Sequence, residues 1–431
     1  MRTSKSFQGS VVLDDTDALR LHLARQVSHW VMAASRLGDL EDLASASVWN
    51  SLEKYMGIVL RQNLSTAVER LQRQAATLQS QLSAARTRDE IDRVQHRLLE
   101  FRQYYLRTET LLDFYADALN TRTSPNLAAL LRACDVLARR SMSQLLDQLG
   151  QTTPPVLTYI DKGLGASILK AGLRLWDGKT ESLTAAIKIT RHNLYRPTAL
   201  IHEAGHQVAH VIGWSEELAA ILDRELGVVS PEIAGIWASW SSEIAADTFA
   251  FAHTGYAAVA GLHTVIAGGE QIAFRYLPGD PHPIGYLRLL LGIEMCRLCF
   301  GRGPWDNLER SWRQEMDLAR AGSGVRALLQ ASLPLLPRIA ELTLMAPMRA
   351  FRGDSLAMLI DPRRVSPEAL TKLEQQGGAA LYTSHHWVWT EPIRLLALTG
   401  YSAATQSDRA LEVLQQQRDW MLRLGETLQV A

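Results

Sequence analysis

Three cysteines in 431 residues are too few for a disulfide framework and suit a reducing compartment. Cys134 has no neighbour in sequence. Cys296 and Cys299 form a C-x-x-C within the apolar run YLRLLLGIEMCRLCF, but no second cysteine pair completes a zinc site, so buried core thiols are expected. Charge of one sign is also lacking: 45 basic residues cancel 45 acidic ones, so no global field steers the chain toward nucleic acid, and none is expected as a partner. Long apolar runs are absent too. Arg288, Glu294 and Arg297 interrupt the best stretch, which excludes a membrane-spanning helix there. The first twenty residues carry charge but no apolar segment of the secretory kind, so the expected address is the cytoplasm. No glycine loop of the P-loop or dinucleotide-binding type occurs, so nucleotide dependence is not expected.

Residues 16 to about 150 hold no proline except Pro125 and few glycines, which predicts helix almost throughout. Leu71, Ala75, Leu78, Leu82 and Ala85 follow the 3,4 spacing of a heptad seam, and Ile91, Val94, Leu98, Phe101 and Tyr105 resume it in a shifted phase. Between them Thr87 and Glu90 form a capping-box pattern, the mark of a new helix start. An antiparallel helical hairpin over about residues 66 to 118 is therefore expected, offering a long surface for a protein partner or substrate and no reactive groups.

After Gly150 the composition changes. QTTPPV reads as a linker, and VLTYID, LRLWDG and AAIKITRHNL are short runs suited to a small sheet. PTALIHEAGHQVAHVIGW follows as a helix opened by Pro197 and stopped by Gly213. A second helix is expected from Ser215 to Gly227. A third, capped by Ser230 with Pro231 in its first turn, runs toward Gly255. From about Leu333 prolines recur, LYTSHHWVWTEP reads as mixed, and an amphipathic helix of residues 407 to 424 closes the sequence. The fold class expected is mainly α with a small β-sheet. Its parts are a helical domain at 1–150, a catalytic domain at 151–330 and a mostly helical region at 331–431.

Residues 202 to 206 read His-Glu-Ala-Gly-His. On a helix, positions i and i+4 lie about 40° and one turn apart, so His202 and His206 can aim imidazole nitrogens at one metal ion. Glu203 projects beside them, where a carboxylate can meet a water in the open position of a zinc ion. Gly205 costs the helix about 1 kcal/mol relative to alanine, which makes sense where another backbone packs close. A third ligand must come from elsewhere, and the extended metzincin pattern fails at Ala209 and Ile212. Glu243 in SSEIAAD has the best context, with Asp247 four residues on, placed to hydrogen-bond a ligand histidine. The rivals are His210, a further turn along the axis, Glu216, Glu217 and Glu232 near helix starts, and His253 and His263 downstream.

With these residues the sequence resembles the gluzincin, thermolysin-like metallopeptidases, whose pattern is H-E-x-x-H on one helix and E-x-x-x-D on a following one. The match falls at His202, Glu203, His206, Glu243 and Asp247 and covers about residues 150 to 300. The 36 residues between His206 and Glu243 exceed the spacer of the best-known members, which points to an inserted helix at 215 to 227. The resemblance implies an α+β zincin-like core and a zinc-dependent peptidase acting on protein or peptide. A metal-stabilised but inactive interaction domain, or a zinc hydrolase of another bond, are the alternatives. A donor for the developing oxyanion is expected at His282 in the rigid loop GDPHPIG, since some gluzincins place a histidine or tyrosine downstream of the third ligand; Tyr276 and Tyr286 are the other candidates.

Overall fold

The computed structural model describes residues 15–57, 60–161, 167–169 and 184–427. They are mainly helical with one small sheet, as expected. The described residues up to Asn120 form one compact unit, and those from Thr121 form another.

The first unit contains helices α1 (Asp15–Arg36), α2 (Ala46–Met56), α3 (Leu60–Ala84) and α4 (Arg88–Asn120). The chain reverses between α3 and α4 at the capping box. Glu90 N donates to Thr87 Oγ1 at 3.3 Å and Thr87 N donates to Glu90 Oε2 at 3.0 Å, so two orphan helix donors are satisfied reciprocally. All ten seam residues, from Leu71 to Tyr105, are buried in one cluster. The same cluster takes in Leu23, Val27 and Ala34 of α1, so the hairpin's apolar seam is closed by a third helix.

The second unit begins with α5 (Pro125–Leu146) and a sheet of β1 (Val156–Ile160), β2 (Ser167–Leu169) and β3 (Ala185–Ile189). Strand order is β1-β3-β2, with β1 parallel and β2 antiparallel to β3. VLTYID and AAIKI are thus strands, β2 was not foreseen, and LRLWDG lies outside the described residues. The expected domain edge at Gly150 falls instead at Asn120. The reason is chemical: buried Asp135 of α5 accepts from Thr158 N and Thr158 Oγ1, both at 2.7 Å, and pairs with Arg122 Nη2 at 2.8 Å, tying α5 to β1. Likewise the region expected apart at 331–431 belongs to this unit. Its last helix, Ala410–Thr427, packs so tightly on α5 that a Cβ on Gly425 would lie 1.8 Å from Ala129 O, and Arg132 Nε donates to Gly425 O at 2.8 Å.

Next come α6 (Thr198–Ile212), α7 (Trp214–Gly227), α8 (Pro231–Ser239), α9 (Ser241–Thr254), α10 (Tyr256–Ile266), α11 (Glu270–Ala273) and α12 (Gly285–Phe300). Gly213, at φ +67°, ends α6 in the left-handed conformation. Ser230 Oγ accepts from Ile233 N and caps α8. The single helix expected from Ser230 to Gly255 is two, broken at Trp240 (φ −92°, ψ 1°), whose ring meets Trp237 edge-on at 5.3 Å. LYTSHHWVWTEP forms two short helices, and the helix expected from 407 starts at Ala410 after a 3-10 turn. No described helix is long and apolar enough to cross a membrane.

Candidate metal centre

Helices α6 and α9 make the site. Where they touch, Gly205 has no side chain to hold them apart: a Cβ there would lie 2.9 Å from Ala246 Cα and 3.1 Å from Ala246 O. That close approach is what the mid-helix glycine provides. It lets His202 and His206 of α6 meet Glu243, in the first turn of α9.

Among the described residues these three form the one group placed to share an ion, their ligand atoms all within 4.8 Å of one another. His206 Nε2 lies 3.1 Å from Glu243 Oε1, and His202 Nε2 lies 3.4 Å from Glu243 Oε2. Donors bound tetrahedrally at about 2.0–2.2 Å sit roughly 3.3–3.6 Å from each other. The 3.4 Å separation falls in that range and the 3.1 Å one a little short of it, so a zinc ion would require only a slight spreading of the group. The opposite imidazole nitrogens face polar partners. His202 Nδ1 lies 2.8 Å from Asp247 Oδ1, and His206 Nδ1 lies 3.3 Å from Ser242 Oγ.

Arg288 of α12 completes the cluster. Its Nε donates to Asp247 Oδ2 at 2.5 Å, its Nη2 to Asp247 Oδ1 at 2.8 Å, and the same Nη2 stands 3.0 Å from Glu243 Oε2. The sequence showed Arg288 only as a charge interrupting an apolar run. That was the available signal, because a charged residue in a buried helix needs a partner.

Burial sets the electrostatics. Glu203, 6% exposed, has its proton affinity raised by desolvation, against the pull of both imidazoles. Desolvation also opposes charge on Glu243, but hydrogen bonds from both histidines and the nearby Arg288 hold its carboxyl well below the usual range. Asp247 behaves alike, brought down to about 2 by Arg288 and His202 despite its burial. His202 is desolvated as well, yet Asp247 and Glu243 push it up to about 10.

All these side chains line one cleft of about 500 Å³, together with apolar groups such as Val259, Leu262, Leu291 and Met295. His282 stands at its rim, 59% exposed, its Nε2 3.6 Å from Glu243 Oε1 and its Nδ1 2.7 Å from Asp280 Oδ1. Tyr276 and Tyr286 do not line the cleft: Tyr276 packs against Trp240, and Tyr286 is buried between Phe274 and Trp312. The rival ligands also lie elsewhere. His210 is exposed, Glu217 caps the backbone at Arg349 and Ala350, and Glu216 and Glu232 lie outside the cleft. His263 packs on Trp312, and His253 is buried against Phe249.

Three carboxylates, Glu203, Glu243 and Asp247, gather around the two imidazoles, with Arg288 facing Glu243 and Asp247. Two buried atoms, His202 Nδ1 and Glu243 Oε2, also lack a well-angled hydrogen bond despite these neighbours. The chain matches no protein-family model, no curated protein and no solved structure.

Proposed function

We propose that this chain is a zinc-dependent metallopeptidase of the gluzincin kind, with a zincin-like core built on α6 and α9. The observation that carries the reading is the convergence of His202, His206 and Glu243, with Glu203 buried in the same cleft. Two imidazoles and a carboxylate suit zinc better than magnesium or calcium. Zinc held there would supply a Lewis acid and lower the pKa of a bound water.

The protein's own groups do the rest. Glu203 takes a proton from the attacking water and returns it to the leaving amine. Asp247 orients His202 through Nδ1, and Arg288 fixes both α9 carboxylates. His282 is the proposed donor to the oxyanion, with its Nδ1 held by Asp280 and its Nε2 on the side of Glu243. The helical first unit would bind a protein partner or substrate.

The deciding experiment measures zinc content and cleavage of an unstructured protein, for the native chain and Glu203→Gln. About one zinc per chain in both, with hydrolysis only in the native chain, is expected. Equal cleavage by the two would remove Glu203 from the mechanism, and absence of zinc from the native chain would remove the site.

A further inference from the structure

Helix α9 reaches a second cavity. His253 in its last turn is 2% exposed and lines a space of about 240 Å³ with Arg140, Arg364, Arg394, Asp361 and Glu391. Pairing there is uneven. Asp361 is engaged by Arg363 at 2.9 Å and Glu391 by Arg394 at 3.5 Å. Arg140 and Arg364 have no carboxylate within ion-pairing distance among the described residues. Arg140 stacks over the Trp389 ring at 4.1 Å and bonds that residue's carbonyl, while Arg364 lends its backbone oxygen to Arg394 Nε at 3.0 Å. Neither arginine is ion-paired among the described residues, and Arg364 acts on Asp361 only from beyond pairing distance.

The imidazole adds selectivity. Burial, with Arg364 nearby, pushes His253 down to about 3, so the ring is neutral. Its one N–H goes to the Ser141 carbonyl, and Nε2 is left buried with no hydrogen-bond partner. An unpaired buried acceptor is costly, and a ligand that satisfies it must donate a proton.

We propose that this cavity binds inorganic phosphate as the monohydrogen dianion, whose P–OH donates to His253 Nε2 while its anionic oxygens accept from Arg140 and Arg364. Sulfate has the same charge and shape but carries no proton at neutral pH. Carboxylates fail for the same reason. The two anions therefore separate charge attraction from recognition of a donor.

The test is calorimetric titration of the full-length protein with inorganic phosphate and with sulfate near pH 7.5. A His202→Ala variant is run beside it, so that phosphate bound at the metal centre does not enter the result. Saturable phosphate binding is expected in both proteins, with sulfate at least about tenfold weaker. Arg364→Ala, at an exposed position, should weaken phosphate by about tenfold or more, as losing a charge-assisted partner does. His253→Phe should abolish the preference for phosphate over sulfate. No saturable binding, equal affinity for sulfate, or undiminished binding by Arg364→Ala would each overturn the proposal.

Discussion

Gly205 of α6 touches Ala246 of α9 at backbone distance, and a methyl group added there would meet Ala246 Cα at 2.9 Å. The neighbour is main chain, so relief requires the helices to part, which also parts His202 and His206 from Glu243. Gly205→Ala is expected to cost about 1–3 kcal/mol, the usual range for overpacking, although alanine is the better helix former. Zinc affinity should fall in step. Denaturant unfolding and metal content check this; parental values in both would mean that the close approach is not needed.

Asp247→Ala is expected to weaken zinc binding or activity by roughly 10- to 100-fold with the fold intact, the range for a group that orients a ligand. Glu243→Ala should be worse. If the order were reversed in a zinc titration, the two carboxylates would have to exchange roles.

His282→Ala should keep its zinc and its KM while losing on the order of 10²- to 10³-fold in kcat, as when one oxyanion donor is removed. Tyr276→Phe and Tyr286→Phe, outside the cleft, should turn over at near-native rates. Steady-state kinetics on a small peptide distinguish these outcomes, and a collapse in either tyrosine variant would move the role there.

Asp135→Ala leaves Arg122 buried without its carboxylate and Thr158 N without its acceptor. A loss of about 3–5 kcal/mol is expected, since breaking a buried pair strands a charge. A variant as stable as the parent in urea would show that α5 and β1 are held together by other means.

His253 links stability to acidity. Its folded pKa of about 3 lies below the unfolded value of about 6.5, so above pH 6.5 both states are neutral and it contributes no slope. Between pH 6.5 and 3 only the unfolded chain takes the proton, and stability falls as pH falls. In His253→Phe this component should vanish. Compared over that range, the parent should lose unfolding free energy relative to the variant progressively as pH falls, the change being greatest by pH 3; parallel curves would contradict the assignment.

The helix that carries His202 and His206 was legible because its signals are local: i, i+4 histidines, Pro197 before it and Gly213 after it. Glu243 and Asp247 were legible for the same reason, and Gly205 correctly announced a close approach. Arg288 was not, since its partners lie 41 and 45 residues away in sequence and nothing near it names them. Amphipathic spacing likewise shows that α5 and α1 bury a face without showing what covers it. The Asp135–Thr158 contact and the seating of α1 on the heptad seam are tertiary facts. The zincin-like core and the peptidase activity remain readings carried by the site's residues.

The break at Trp240 has an electrical consequence. In an unbroken helix Glu243 would sit mid-segment, where backbone dipoles cancel locally. Because α9 starts afresh at Ser241, the carboxylate lies in a first turn, beside main-chain N–H groups that together resemble about half a positive charge. Part of the field that keeps this ligand ionised is thus main-chain in origin. It would persist after replacement of Arg288, and only a change that rejoined α8 to α9 would remove it.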